Sequence, residues 1–175
     1  MNFKEYLNKI KAFVFDVDGV LSFSTMPLDA NGVPMRMVNV KDGYSINLAN
    51  RLGYTIGIIT GCNVEAVRLR FESLGVHPEN IYLGAADKIQ SYEDFKKRND
   101  LKDEEIMYMG DDIPDYKVMK IVGLPVCPED AVPEIQSIAK YISGHKGGCG
   151  CARDVIEQTL KAQRRWTQCD EAYTW

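Results

Sequence analysis

Five short apolar runs alternate with helix-length segments along most of this chain, and each run ends at a glycine, a proline or a polar motif. The runs are residues 12–15, 54–59, 81–83, 106–109 and 124–127. Runs without polar alternation are typical of parallel strands that are covered on both faces. We predict helices at 44–52, 64–74, 88–98, 115–122 and 131–139. The pattern predicts an α/β fold with a doubly wound, Rossmann-like parallel sheet.

Length and charge limit the classes of protein. With 175 residues, the chain is expected to form one domain over 1–175. No apolar run approaches the roughly 18 residues that span a bilayer, and charges interrupt the start of the chain where a secretory signal would be apolar. A net charge of -4 offers no basic surface for nucleic acid. Five cysteines at irregular spacing suit reduced thiols, so we expect a cytoplasmic protein without a membrane or nucleic-acid partner.

One segment, at about 21–40, interrupts the alternation. Asn31-Gly32 is a strong signal for a hairpin turn, and residues 22–24 and 35–38 are candidates for its two strands. We therefore predict a β-hairpin that projects from the sheet directly after the first strand.

Acidic residues follow two of the apolar runs. Asp16 and Asp18 follow the first run, with Gly19 where the backbone must turn sharply and approach a ligand closely, and Asp111 and Asp112 follow the fourth. Active sites of such sheets lie beyond the carboxyl ends of the strands. Carboxylates gathered there repel one another unless a hard cation lies among them, and Mg2+ prefers oxygen ligands.

Three further residues suit phosphate chemistry. Thr60 offers a hydroxyl and, with Gly61, backbone N–H groups near a helix start, where phosphate oxygens bind well. Lys88 can offset the remaining negative charge. Each motif alone has a plainer interpretation: a solvated turn for Asp16 and Asp18, a helix N-cap for Thr60 and a solvated side chain for Lys88. Their combination favours phosphoryl transfer.

These residues form four motifs, in order, through which the chain resembles the haloacid dehalogenase superfamily. The motifs are Asp16-x-Asp18-Gly19, Thr60, Lys88 and Gly110-Asp111-Asp112-x-x-Asp115. The resemblance implies that Asp16 is a covalent nucleophile and that Asp18 is the general acid and base. It further implies that the Asp16 carboxylate, the Asp18 carbonyl and Asp111 bind Mg2+, with Asp112 and Asp115 in the outer coordination sphere.

The gaps between the motifs are short. Neither the segment from Asp16 to Thr60 nor the segment from Thr60 to Lys88 can hold the separate cap domain that many members of this superfamily carry. A site without a cap is open, so water exclusion and substrate selection must come from elsewhere. A neighbouring subunit is the economical source.

Other motifs resemble one capless branch, the 3-deoxy-D-manno-octulosonate 8-phosphate phosphatases. They are Val40-Lys41-Asp42-Gly43-Tyr44, Arg68-x-Arg70, and Gly147-Gly148-x-Gly150 followed by Ala152-Arg153-Asp154. The resemblance implies hydrolysis of this sugar-acid phosphate, in lipopolysaccharide precursor synthesis, with Arg70 at the sugar-acid end of the substrate. It also implies a homotetramer that assembles through the hairpins, with the C-terminal part at about 144–175, a Gly-rich segment followed by a helix, reaching a neighbouring site.

Three alternatives remain. Cys62 stands where octulosonate enzymes often carry Arg and nonulosonate enzymes Glu, and Ser73 where the latter tend to carry Lys. The missing Glu and Lys favour the eight-carbon substrate over a nine-carbon, sialic-acid-type 9-phosphate. A receiver-like signalling domain would place its acidic motifs in another order along the chain. A non-catalytic subunit would have no reason to keep the complete set.

Overall fold

A six-stranded sheet forms the centre of the computed structural model, which describes residues 3–175. All neighbouring strands pair in parallel, in the order β3-β2-β1-β4-β5-β6. The strands are β1 Ala12–Phe15, β2 Thr55–Ile59, β3 Ile81–Tyr82, β4 Ile106–Met109, β5 Leu124–Cys127 and β6 Tyr141–Ile142. The helices are α1 Phe3–Leu7, α2 Val40–Arg51, α3 Glu65–Glu72, α4 Lys88–Arg98, α5 Tyr116–Ile121, α6 Pro133–Gln136 and α7 Cys151–Ala162.

This arrangement confirms the predicted α/β parallel sheet. Its strand order turns back at β1, which lies between β2 and β4. Phe15 stands opposite Met109 in the register of β1 and β4, and the backbone N–H of Asp16 donates to the carbonyl of Met109 at 3.0 Å. The residues that follow β1 and β4 therefore meet at one edge of the sheet.

Helices cover both faces of the sheet, as the continuous apolar strands require. On β1, Phe13 and Phe15 pack into the core beneath α1, α2, α3 and α7, while Val14 packs into the core beneath α4, α5 and α6. Burial of each such side chain contributes about 1.5 to 3 kcal/mol. Among the described residues, no helix combines the length and apolar character needed to cross a bilayer.

Several element boundaries differ from the prediction because local hydrogen bonds set them. α2 begins at Val40 rather than residue 44, since the Asn39 side chain accepts hydrogen bonds from the N–H groups of Lys41 and Asp42 at 2.9 and 3.2 Å. α6 is a short helix rather than the predicted 131–139. Neither α1 nor β6 was predicted, because five and two residues are too few to show a period.

The predicted hairpin forms only around its turn. The Asp29 carboxylate accepts hydrogen bonds from Asn31 and Val33 N–H at 2.7 and 2.9 Å, and Leu28 bridges Pro34 in antiparallel fashion. Residues 22–24 and 35–38, predicted as strands, are not strands here. An isolated two-stranded ribbon is only marginally stable in water, because no further strand or helix covers its apolar face.

A buried carboxylate joins α2 to α7. The Asp42 Oδ1 atom accepts a hydrogen bond from the Arg153 N–H in the first turn of α7 at 2.7 Å. Its Oδ2 atom is buried and has no hydrogen-bond partner among the described residues. Burial raises the pKa of Asp42 to about 6, although backbone N–H groups at the start of α7 oppose the rise. The ionised carboxylate is therefore unfavourable in the fold.

Replacing Asp42 with Asn is expected to stabilise the protein at neutral pH and to change little near pH 4. A folded-state pKa above the unfolded one means that stability falls as pH rises through this interval. A shift from 3.8 to about 6 corresponds to at most about 3 kcal/mol. Urea unfolding of both proteins at about pH 4 and about pH 7.5 measures the difference. An Asp42→Asn effect of equal size at both pH values would contradict this account.

Candidate active site

A cavity of about 420 Å3 opens at the carboxyl edge of the sheet, between the loops that follow β1, β2 and β4. The predicted residues that line it are Asp16, Asp18, Thr60, Gly61, Lys88, Asp111, Asp112 and Asp115. Eight of the ten residues singled out from the sequence are therefore brought together in one cavity. Gly19 lies directly beside it, and Arg70 does not reach it.

Lys88 is the centre of the charge network in this cavity. Its Nζ atom lies 2.7 Å from Asp16 Oδ2 and 2.7 Å from Asp115 Oδ1, and its side chain is only 5% exposed. The Asp87 carboxylate caps α4 and so fixes Lys88 as the first residue of that helix. Burial alone would lower the pKa of Lys88, but the two carboxylates raise it above its ordinary value. Lys88 is therefore a cation that compensates two buried acids.

Asp115, the last residue of the motif after β4, is engaged through both carboxylate oxygens. It is fully buried, and its Oδ1 atom also accepts a hydrogen bond from the Tyr108 hydroxyl at 2.6 Å. Its Oδ2 atom accepts from the N–H groups of Asp111 and Asp112 at 3.2 and 3.4 Å. Asp115 therefore holds the loop after β4 against Lys88. Tyr108 was not singled out from the sequence, because a tyrosine inside a strand gives no signal of its hydroxyl partner.

Carboxylate oxygens of Asp16, Asp111 and Asp115 lie within 4.8 Å of one another. Burial, followed by repulsion from Asp115, raises the pKa of Asp16 to about 7, although Lys88 opposes the rise. Burial and repulsion from Asp16 raise the pKa of Asp111 to about 8. The single positive charge of Lys88 therefore does not compensate the negative charges of three ionised carboxylates. An all-oxygen donor set with excess negative charge fits a hard divalent cation such as Mg2+.

The Asp18 carboxylate is bound by an arginine that was not predicted. Arg36 donates from Nε to Asp18 Oδ1 and from Nη2 to Asp18 Oδ2, each at 2.7 Å. Arg36 belongs to the segment around the predicted hairpin, where Met35 and Met37 flank it. Its position between two apolar residues gives no signal of a partner in the catalytic loop.

Thr60 lies at the end of β2 and is buried. Its N–H donates to the Tyr82 carbonyl at 3.0 Å, which continues the pairing of β2 with β3. The Thr60 hydroxyl oxygen accepts a hydrogen bond from the Cys62 N–H at 3.1 Å. Cys62 and Gly61 also line the cavity. The loop after β2 therefore presents a hydroxyl and backbone groups to the same space as Asp16.

Gly19 is required by the close approach of two loops. Its φ of 82° is in the left-handed region, and a Cβ atom there would lie 1.9 Å from Asp111 Oδ2. A Cβ atom on Gly147 would lie 2.0 Å from the Gly19 carbonyl oxygen. The loop after β1 is thus packed between the loop after β4 and the Gly-rich segment.

Arg70 lies outside the catalytic cavity. It lines a neighbouring apolar groove of about 250 Å3, together with Val38, Val67 and Phe71. The groove lies beneath the turn segment, which is the segment at about 21–40 that carries the Asn31-Gly32 turn. Its guanidinium is close to Gly43, where an added Cβ atom would be 2.5 Å from Arg70 Nη2. The structure therefore does not bring Arg70 to Asp16.

The C-terminal segment packs against its own chain. The Gly148 N–H donates to the Val20 carbonyl at 2.8 Å, and its carbonyl accepts from the Asn39 amide at 3.0 Å. Further along, the Tyr44 hydroxyl donates to the carbonyl of Ala172. The predicted reach of this segment into a neighbouring site stays a prediction.

Comparison with known proteins identifies relatives of this arrangement. A family profile described as haloacid dehalogenase-like hydrolase matches residues 71–153. The 3-deoxy-D-manno-octulosonate 8-phosphate phosphatase KdsC of Escherichia coli K12 is 35% identical over 154 residues, which are 88% of this chain and 81% of that protein. The corresponding protein of Yersinia pestis is 34% identical over the same shares.

Solved structures that resemble this chain include phosphatases of the same name. A crystal structure of 3-deoxy-D-manno-octulosonate 8-phosphate phosphatase from Yersinia pestis has a TM-score of 0.89 at 32% identity and covers 93% of this chain and 87% of that one. The phosphatase of the same name from Moraxella catarrhalis, in complex with a magnesium ion, a phosphate ion and KDO, has a TM-score of 0.87 at 29% identity and covers 93% and 92%.

Replacing Lys88 with Met is expected to lower the free energy of unfolding by about 3 to 5 kcal/mol, because it leaves buried carboxylates without their cation. Lys11→Met is the matched control, since Lys11 pairs with Glu105 but its side chain is 67% exposed. That change should cost far less, because exposed ion pairs contribute little to stability. Urea unfolding in the presence of a chelator measures both. Equal, small losses for the two variants would contradict the central role of Lys88.

Proposed function

Because this chain belongs to the haloacid dehalogenase-like hydrolases, we propose that it hydrolyses 3-deoxy-D-manno-octulosonate 8-phosphate to the free sugar acid and inorganic phosphate. It would then be a phosphoric monoester hydrolase of lipopolysaccharide precursor synthesis. The observation that carries the proposal is the Asp16 carboxylate, 2.7 Å from Lys88, in a cavity shared with Asp18 and Thr60. The relatives that match over 88% of the chain carry the name of this activity.

We propose Asp16 as the nucleophile. Its Oδ1 atom accepts a hydrogen bond from the Val17 N–H at 2.6 Å and its Oδ2 atom contacts Lys88, so the carboxylate is held on both sides. It attacks phosphorus in line, and the bond from phosphorus to the leaving alcohol breaks as an aspartyl phosphate forms. Lys88 offsets the charge of the phosphoryl oxygens.

Asp18 completes the two half-reactions. Its carboxyl group gives a proton to the leaving alcohol, and its carboxylate then takes a proton from the water that attacks the aspartyl phosphate. Phosphate leaves and Asp16 is restored. The Thr60 hydroxyl and the Gly61 N–H bind phosphate oxygens in this scheme, and Gly19 permits the close approach of the loops that hold them.

Mg2+ fits the same carboxylates. The Asp16 carboxylate, the Asp18 carbonyl and Asp111 would bind it, and the ion would neutralise charge on the phosphoryl group. Asp115 is already engaged through both oxygens by Lys88, Tyr108 and backbone N–H groups. We therefore keep Asp115 in the outer coordination sphere. Asp112 is exposed, and its carboxylate accepts a hydrogen bond from the Ile113 N–H.

Substrate selection rests on residues around this cavity. Binding of the sugar-acid carboxylate by Arg70 stays a prediction, because Arg70 lines the neighbouring groove. Cys62 lines the catalytic cavity itself. A thiol there leaves more room and less charge than Arg or Glu would. The absence of Glu at this position supports the eight-carbon substrate.

Exposed apolar side chains support assembly into a homotetramer. They are concentrated in the segment around the turn and include Leu28 62%, Met35 47%, Met37 60%, Val38 57% and Val40 62% exposed. A second copy of the same segment would supply the strands and apolar cover that the hairpin lacks.

We also propose a cytoplasmic location, because all five cysteines are unpaired and suit a reducing compartment.

Phosphate release from the eight-carbon and nine-carbon sugar-acid phosphates, measured side by side with Mg2+, tests the reaction. We expect kcat/KM to favour the eight-carbon substrate by at least about 10-fold, since a pocket that matches one sugar rejects the other by about 1.4 kcal/mol or more. Asp16→Asn is the control for contaminating phosphatase and should fall below about one thousandth of the wild type. Equal turnover of both substrates would overturn the substrate assignment, and an active Asp16→Asn variant would overturn the mechanism.

Light scattering at micromolar concentration tests the assembly. The wild type should have the mass of four chains, and a Met37→Glu, Val38→Glu double variant should give smaller species, because charges there cannot be buried at an apolar interface. Leu69→Glu is the matched control, since Leu69 is 59% exposed but lies on α3. A monomeric wild type, or a tetramer that survives the double change, would contradict the proposal.

A further inference from the structure

The ion pair between Arg36 and Asp18 is the feature that the proposed function does not use. Its two hydrogen bonds run in parallel at 2.7 Å, which is the bidentate geometry of a guanidinium on a carboxylate. The Arg36 side chain is 13% exposed and the Asp18 side chain 39%. The pair is thus less accessible to water than most surface ion pairs and loses less of its strength to screening.

Asp18 depends on Arg36 for its orientation. The carboxylate has no other hydrogen-bond partner among the described residues, whereas Asp16 is held by Val17 and Lys88. A partly exposed aspartate without partners exchanges freely between rotamers. The bidentate contact with Arg36 fixes both oxygens and therefore the direction of the whole side chain.

Arg36 is itself anchored. Its Nη1 atom donates to the Pro34 carbonyl at 3.0 Å, so Nε, Nη1 and Nη2 each have an acceptor. Pro34 is bridged to Leu28 next to the turn at Asp29. A continuous series of contacts therefore leads from the turn segment to the carboxylate beside the nucleophile.

We propose that Arg36 is a positioning residue for Asp18, through which the turn segment determines where the proton donor of the reaction stands. Arg36 acts on Asp18 and not on the phosphate. Asp18 becomes the acid when one of the two hydrogen bonds opens and the released oxygen takes up a proton, while the other hydrogen bond keeps the carboxyl group aimed at the leaving-group oxygen. This inference rests on the proposed role of Asp18 as general acid.

A comparison of substrates with different leaving groups distinguishes a positioning role of Arg36 from a purely structural one. An alkyl phosphate, such as the sugar-acid phosphate, needs a proton on its leaving alcohol, whereas p-nitrophenyl phosphate has a leaving group that departs with little help. The parameter to compare is kcat/KM, because it covers the steps up to formation of the aspartyl phosphate. Misplacing a general acid should therefore penalise the alkyl phosphate selectively.

For Arg36→Met we expect kcat/KM to fall by about 10- to 100-fold with the sugar-acid phosphate and by less than about 3-fold with p-nitrophenyl phosphate. Arg36→Lys should recover part of the loss, since it keeps the charge but offers no bidentate fork. Arg98→Met is the matched control, because Arg98 also pairs with two acids but at 39% exposure and at the far end of α4. It should leave both substrates unchanged.

Equal losses with both substrates would show that Arg36 only supports the fold, and an unchanged or higher rate with the alkyl phosphate would also overturn the proposal. Arg36→Lys carries the same comparison if Arg36→Met does not fold. If the wild type fails to hydrolyse the sugar-acid phosphate, the substrate assignment fails. Any other alkyl phosphate that the wild type hydrolyses then still tests Arg36.

Discussion

The buried contact of Lys88 with Asp16 and Asp115 is the interaction on which the rest of the site depends. It joins the first residue of α4 to the residue that follows β1 and to the loop between β4 and α5, with both distances at 2.7 Å. Removal of one member of such a group leaves a buried charge without compensation, which costs several kcal/mol. The same contact orients the nucleophile and fixes the loop that carries Asp111. Both the free energy of unfolding and the orientation of the nucleophile therefore depend on Lys88.

Around this network, loops approach one another closely, and these contacts hold the site together in place of a cap domain. Gly19 lets Asp111 approach the first loop, and Gly147 lets the Gly-rich segment close over it. Arg36 then connects the turn segment to Asp18. The first loop, the loop after β4, the turn segment and the Gly-rich segment thus fix the positions of Asp18 and Asp111.

The sequence predicts most of this fold, because continuous apolar strands and helix caps are local signals. β1 and α4 match their predicted bounds, and the acidic motifs at strand ends correctly predicted a shared cavity. The strands of the hairpin were wrong, since pairing of that ribbon depends on cover that the chain alone does not supply. The partners Tyr108 and Arg36 were missed because their hydrogen bonds join residues far apart in the sequence. Arg70 was predicted from a resemblance, and its position depends on packing beside Gly43.

Attack of an Asp16 carboxylate oxygen on phosphorus is the central chemical claim, and trapping of the aspartyl phosphate tests it most directly. In an Asp18→Asn variant, Asp16 should still attack the phosphorus of an aryl phosphate, but the base that activates water for hydrolysis of the aspartyl phosphate is lost. Mass spectrometry of the peptide that contains Asp16, after acid quenching with an aryl phosphate, should then show one added phosphoryl group on Asp16. Release of phosphate by the wild type with no phosphorylated Asp16 in either protein would contradict the account.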